Sequence, residues 1–479
     1  MALLRFSAKL YPDRIAIHET EGTSTYSKLF GDSKNLAVLL RFRYNLHEFS
    51  KVALICRNHL VIIQSIFALS RLGVNIYLLN IEMSTSQLRK IIGEKEFDLI
   101  IYDEEKGTDF KEIDSQKCIL SYHNVFPSIN NMVKSEEFIE RKLSKYKAGK
   151  IVILTSGTTG EYKTAGRKPS VTNFVNPIIA FLTKIHMDKY RSVYIATPIY
   201  HGSGLGALIV FTLLGIEQYI LNRYVTEDSC SLIRANKIES VILVPLMIQR
   251  MLKYDKSALG SLKCILSGSA PLNADLAQHI LLQLGDVLFN LYGTSEAGFS
   301  ILATPGDLKQ YPTTIGKPIK GVSIKIVNEN NQELNMVNVG MLCLKSNWAV
   351  DSEKNHWIPT GDLGYVGKDG YLFLCGRSDN MIISGGENVY PEVLEQVLTK
   401  NELIESACVI GIPDVEFGQR LKAFVVLKED SDLTEDLILK WLSDRVARYQ
   451  IPAQIRIVNS LPISPTGKID RNQLSCLKK

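Results

Sequence analysis

The chain has 479 residues, 46% of them hydrophobic and 22% charged, with a net charge of +5. That length implies more than one hydrophobic core, and the composition is that of a globular enzyme rather than a disordered or fibrous chain. The charge is too small and too dispersed for a nucleic-acid binder. Eight cysteines stand singly with no C-x-x-C pair, so neither a disulfide framework nor a zinc site is expected. The eight histidines show no metal-ligand spacing either. The first nine residues lack a long apolar core and a cleavage signal, and the apolar run 205–214 is too short to span a bilayer. A cytoplasmic protein without integral membrane contact is expected.

In chain order, residues 50–103 alternate strand-like runs (51–56, 74–79, 98–102) with helix-like ones, of which 59–72 is the clearest. Such alternation favours a parallel sheet flanked by helices. The run 151–154 reads as a short buried strand, and a second alternating series has strands near 192–197, 240–245, 263–267 and 287–291. From about 316 to 344 the pattern becomes β-rich, with clean alternation at 322–327. Beyond Arg377 the texture changes: a strand at 381–384, a Gly385-Gly386 turn, a helix at 391–400 that starts on Pro and ends on Lys. Strands near 408–412 and 423–427 follow, then a helix over 435–449 with Leu437, Trp441 and Leu442 on one face. The fold class is α/β: a large N-terminal domain of helix-flanked sheets with a β-rich subdomain, residues 1–376, and a small α+β domain, residues 377–479.

Chemistry first shows at Thr155-Ser156-Gly157-Thr158-Thr159-Gly160, followed by Lys163. Two glycines free the backbone, the hydroxyls add donors, and the lysine adds charge, as in an anion cradle for a nucleoside triphosphate. The Walker A spacing is absent, and on this stretch alone a Ser/Thr-rich surface turn fits equally well. Further along stand Leu291-Tyr292-Gly293-Thr294-Ser295-Glu296-Ala297-Gly298, Thr360-Gly361-Asp362-Leu363-Gly364, Gly376-Arg377-Ser378-Asp379 and Pro465-Thr466-Gly467-Lys468. Asp362 reads as a loop residue between β-rich runs. Gly202-Ser-Gly-Leu-Gly fails the dinucleotide fingerprint in spacing and in its acidic partner.

In this order and spacing the motifs resemble the adenylate-forming superfamily of acyl-CoA synthetases, luciferases and peptide-synthetase adenylation domains, over roughly residues 11–474. The resemblance implies ATP and Mg²⁺ as cofactors, CoA as cosubstrate, and a small carboxylic acid as substrate. It implies that Thr155 to Gly160 with Lys163 hold the β- and γ-phosphates, and that Glu296 holds the metal. It places Thr294 near the α-phosphate, Tyr292 against the adenine with Gly293 beside it in the nucleotide site, Gly268, Ser269 and Ala270 around the adenine and acyl pockets, and Asp362 and Arg377 on the ribose. Lys468 would bridge carboxylate and α-phosphate from a mobile lid, residues 377–479, hinged at Asp379. Gly385 and Gly386 would line the pantetheine path.

Departures from the pattern touch the phosphate loop, where Gly160-Glu161-Tyr162-Lys163-Thr164 replaces Gly-x-Pro-Lys-Gly, and residues 346–359, which are short and lack a Gly-Tyr element. Position 201, an acid in amino-acid-activating relatives, is His201, which favours an acid without an α-amine; a core histidine is the bland alternative. The apolar run 205–214 suits an alkyl-chain lining or a plain core helix. The expected function is a fatty acid–CoA ligase. An aryl-acid ligase of the o-succinylbenzoate type, a ligase loading an acyl carrier protein, and a degenerate nucleotide-binding module are the alternatives.

Overall fold

The computed structural model describes all residues except 21, 111–114, 125–126, 136, 138–140, 157–161, 168–174, 351–355, 385–386, 415–417, 430, 444, 464–467 and 477–479; at some others, 155, 156 and 163 among them, only the backbone is described. Among the described residues, strands form three sheets.

In the first, the parallel strands Asn75–Leu78, Lys51–Ile55, Leu99–Tyr102 and Cys118–Leu120 continue on their other side through Ile151–Ser156. An antiparallel strand, Tyr162–Arg167, closes that edge. Helix Leu60–Leu72 covers the sheet because most of its residues are apolar; it starts on the His59 ring, which accepts the Ile62 N–H. It stops at Gly73, which is left-handed and where a Cβ would fall 2.2 Å from the Lys147 carbonyl oxygen.

The second sheet places Leu288–Thr294, Cys264–Gly268, Ser240–Leu243, Ser192–Ile195, Glu217–Ile220 and Ile15–Glu19 side by side and parallel. Antiparallel strands extend it through Gly298–Ala303 and Thr314–Pro318 to Leu372–Arg377 and Ile358–Val366. This last pair corrects the expected loop at Asp362, which is a strand residue directly opposite Arg377. The Thr-Gly-Asp stretch reads as a turn by composition because it is an irregularity within the strand: Pro359 and Leu363 pair with Gly340–Lys345 on either side of it, Gly361 is at φ 77°, and Asp362 pairs with Arg377.

The third sheet belongs to the C-terminal domain: Ile382–Ser384, Gly418–Leu427, Ile404–Asp414 and Gln454–Ile457, with helix Pro391–Thr399 against it. Its core gathers Leu394, Leu398, Val409, Val425, Ile438 and Leu442. The helix expected over 435–449 is Glu435–Ser443, with a separate 3-10 turn at Arg448–Gln450. Its buried face is Ile438 and Leu442, four residues apart, whereas Leu437 is 50% exposed. Among the described residues, no helix is long and apolar enough to cross a membrane.

Cys264 is a buried free thiol, as its apolar context implies. One grouping was not visible in the sequence: Cys56, His59 and Asp103 place their donor atoms within 4.8 Å of one another. Each is already engaged. His59 donates from Nε2 to Asp103 at 2.9 Å and accepts at Nδ1, and Asp103 also accepts from Ser121 and the Arg57 N–H. The cluster is a buried brace between strand ends.

Candidate active site

The motif residues converge where strand ends of the N-terminal domain meet the C-terminal domain, around a cavity of about 3360 Å³. Tyr292, Gly293 and Thr294 end one strand, and a tight reversal carrying Ser295 and Glu296 leads into Gly298–Ala303. The Thr294 hydroxyl accepts the Ala297 N–H at 3.0 Å and so fixes this reversal. Gly293 is obligatory, because a Cβ there would fall 2.1 Å from the Gly298 carbonyl oxygen. Glu296 is half-buried on the cavity wall.

Gly268 ends the neighbouring strand and leads to Ser269, a non-glycine residue at φ 65°, and Ala270. Strain of this kind is concentrated at functional sites. All three line the cavity with Tyr292.

Asp362 is held at both oxygens: Tyr292 Oη donates to Oδ2 at 2.6 Å and Arg377 Nη1 to Oδ1 at 3.1 Å. Burial and the Asp362 charge push the Tyr292 phenol well above its usual pKa, so it remains a donor. Arg377 also donates to the Thr360 carbonyl and forms a two-pronged pair with Asp379, both bonds 3.0 Å. Gly361, at φ 77°, makes room: a Cβ would fall 2.7 Å from Arg377 Nη2. Each Asp362 oxygen keeps acceptor capacity beyond its present bond.

Lys468 enters from the C-terminal domain and lines the same cavity. It remains solvent-accessible as a residue, yet the protein around its ammonium lowers its pKa by desolvation, with Asp362 opposing and Arg377 adding. His201 is the N-cap of helix Gly202–Leu214, and its ring packs on Tyr200 at 4.6 Å. Desolvation first, and the Lys468 charge second, push its pKa down to about 4, so the ring is neutral at pH 7. Its Nε2 is buried without a hydrogen-bond partner among the described residues.

Of the phosphate-loop residues, Gly157, Thr158, Thr159 and Gly160 lie outside the described residues. The backbones of Thr155 and Lys163 pair across the hairpin, so Lys163 belongs to a strand rather than to a loop edge. Gly385 and Gly386 also lie outside the described residues. Sequence reasoning missed Thr360, whose hydroxyl accepts the Asp362 N–H, and Glu392, Glu395 and Arg471 on the cavity's lid side. A Glu-x-x-Glu spacing on one helix face was the available signal for the glutamates.

Residues 4–351 match the family model for the AMP-binding enzyme, and residues 393–468 match that for the AMP-binding enzyme C-terminal domain. The chain is 28% identical to the 2-succinylbenzoate–CoA ligase of Bacillus subtilis (98% of this chain, 97% of that one), and 30% identical to that of Oceanobacillus iheyensis with the same coverage. Among solved structures it is similar to o-succinylbenzoate CoA synthetase from Bacillus subtilis. The complex with the acyl-adenylate matches at TM-score 0.85 and 26% identity, over 100% of this chain and 98% of that one. The complex with ATP and magnesium matches at TM-score 0.85 and 25% identity, over 99% of each. The chain belongs to the AMP-binding enzyme family, the adenylate-forming superfamily that its motifs resemble.

Proposed function

We propose that this AMP-forming acid–CoA ligase activates an aryl carboxylic acid of the 2-succinylbenzoate type. ATP and the acid would give an acyl-adenylate and pyrophosphate, and CoA would then take the acyl group as a thioester. The observation that carries this reading is His201, half-buried and neutral, with a buried Nε2 that has no hydrogen-bond partner among the described residues, at a cavity also edged by Phe181 and Phe299, whose rings meet edge-on at 5.3 Å. A neutral imidazole and aromatic walls suit an arene bearing a polar group better than an α-ammonium. The names of the relatives support the same substrate class, which replaces the fatty acid expected from the sequence.

In this reading the Asp362–Arg377–Tyr292 set receives the ribose hydroxyls, and Gly268, Ser269, Ala270 and Gly293 border the base and acyl group. Thr155, Ser156, residues 157–160 and Lys163 receive the β- and γ-phosphates, and Thr294 the α-phosphate. Glu296, a half-buried carboxylate on a braced reversal, fits a hard oxygen-seeking cation such as Mg²⁺. Bound there, the ion would neutralise phosphate charge. Lys468 would stabilise charge developing between carboxylate and α-phosphate. Residues 1–376 act as the body and 377–479 as a lid turning at Asp379, which would bring Gly385 and Gly386 to the pantetheine arm. The protein would work in the cytoplasm, where ATP and CoA are supplied.

A second reading, a fatty acid, is favoured by one observation. Helix Gly202–Leu214 is apolar all round, yet Gly202, Gly206, Ile209, Val210 and Leu213 face the cavity, and a Cβ at Gly206 would meet nothing within 4 Å. Helices apolar on every side are normally covered on every side. Pyrophosphate release should therefore be measured across 2-succinylbenzoate, substituted benzoates and fatty acids of increasing length, with CoA or a phosphopantetheinyl carrier protein as acceptor. Highest turnover with 2-succinylbenzoate and CoA is expected. A maximum at a medium or long alkyl acid would transfer the assignment to the second reading, and no release with any acid would mark a binding module.

A further inference from the structure

The segment bearing Lys468 is anchored unusually firmly for a residue so near the end of the described chain. An antiparallel bridge joins Ile463 to Ile469, and the Asp470 N–H donates to the Pro462 carbonyl at 2.9 Å, both beside Lys468. Leu474 is 1% exposed in a small core with Cys408, Ile410, Phe424, Val426 and Leu461. Between these anchors lies Arg471, three residues after Lys468. Its Nη2 donates to both oxygens of Glu395, at 2.7 and 2.9 Å, and lies 3.4 Å from Glu392 Oε1.

Both glutamates stand on helix Pro391–Thr399, and both are 15% exposed at the side chain. Glu395 Oε1 also accepts the Val409 N–H at 2.7 Å, which ties the cluster to the edge strand Ile404–Asp414 of the C-terminal sheet. Glu392 Oε1 is shared: Asn380, immediately after Asp379, donates to it at 3.0 Å. Glu392 also abuts the body, since a Cβ on Gly376 would fall 2.3 Å from its Oε2. A continuous polar path therefore runs from Asp362 and Arg377, through the Gly376–Asn380 segment and Glu392, to Arg471, three residues from Lys468.

We propose that Arg471 is a positioning residue for Lys468: clamped by Glu395 and Glu392, it fixes where the Lys468 ammonium enters the adenylation site and couples that placement to the segment around Asp379. This inference rests on the Lys468 role given under Proposed function. A buried ion pair contributes little net stability compared with packed apolar side chains, so what this one supplies is geometry. All of these contacts come from Nη2 alone, at the end of a side chain one atom longer than lysine's, so a lysine ammonium falls short of both glutamates at once.

The test uses the full-length enzyme and its two half-reactions, acid-dependent pyrophosphate exchange and thioester formation from supplied acyl-adenylate and CoA. Arg471→Lys is expected to lower the rate of exchange about tenfold, with KM for ATP within twofold. Thioester formation, which needs the same folded lid, should stay within twofold. In a Lys468→Ala background the substitution should have no further effect, because residues acting as one unit are non-additive. Should Arg471→Lys fold poorly, Glu395→Gln keeps the side-chain volume, removes the clamp's charge, and must give the same pattern. Equal loss of both half-reactions, or an additive loss in the Lys468→Ala background, would overturn the proposal. Lys468→Ala alone reports on the underlying assignment: full exchange activity in that variant would remove the role of Lys468 itself, a different outcome from loss there with no effect of Arg471→Lys.

Discussion

The nucleotide end of the cavity and its lysine end are built on opposite principles. Asp362, Arg377 and Tyr292 come from strands of one sheet, and Asp362 and Arg377 are cross-strand partners. Their geometry is set by backbone register within that sheet, with Arg377 also gripping Asp379 at the proposed pivot. Lys468 reaches the same cavity from another sheet system, and its placement depends on a turn base, an ion cluster and a few contacts between domains, such as Asn273 Nδ2 to Thr399 Oγ1 at 3.3 Å. The contrast suits the proposed two-step reaction: the residues assigned to the nucleotide are built into the sheet, and the lysine assigned to a single step is mounted on the C-terminal domain.

The largest way to break the contrast is to remove the lysine. Lys468→Ala should reduce acid-dependent pyrophosphate exchange by about 10²–10³, the scale for loss of a charge-stabilising donor. Thioester formation from supplied acyl-adenylate should change less than about threefold, since the rest of the lid and the whole sheet remain. Parallel loss in both assays would mean that Lys468 belongs with the permanent machinery.

The complementary change is Asp362→Ala. AMP affinity by calorimetry should fall about 100-fold, as expected for two hydrogen bonds to a charged acceptor. ATP affinity should fall similarly, because the ribose is common to both. The substitution also leaves Arg377 with Asp379 and Thr360 as its remaining partners, so Asp362→Asn, which preserves shape, should lose less. Unchanged AMP binding would detach Asp362 from the ribose.

That Tyr292, Asp362 and Arg377 come together was legible in the sequence because they occur in compact strings, which the structure carries on strands of one sheet. What could not be read was pairing. Asp362 reads as a turn residue until Arg377 is seen opposite it. Arg471 and Glu395, 76 residues apart, give no local signal of their contact. Composition also misplaced the lid helix face by one residue, taking Leu437 for Ile438, because a step of one position rotates about 100° around a helix and leucine at 437 is as apolar as its buried neighbour. Cys56, His59 and Asp103 lie on segments 47 residues apart, and only the parallel order of their strands gathers them.

His201 offers the smallest and most exact probe, because both its burial and the Lys468 charge act on it. Its folded pKa is about 4, lowered first by burial and second by Lys468, against about 6.5 for an unperturbed histidine. Between these values the unfolded chain binds a proton that the folded chain refuses, so stability rises with pH from about 4 to 6.5 and has no further His201 term above that. At pH 5 the resulting penalty is about 2 kcal/mol. His18, whose pKa burial also lowers, adds slope of the same sign, so the quantity to measure is the difference between wild type and His201→Asn in denaturant unfolding at pH 5 and pH 7.5. The variant should lose less stability on acidification than the wild type by about that amount. Lys468→Ala should recover a smaller part of the difference, because only the second cause of the shift is removed. If Lys468→Ala leaves the acid slope unchanged, the ammonium does not reach the body's acyl pocket in the free enzyme, and the lysine end is assembled only when substrates bind. If it recovers the whole slope, burial is the minor cause, and the imidazole is held neutral by the lid rather than by the sheet.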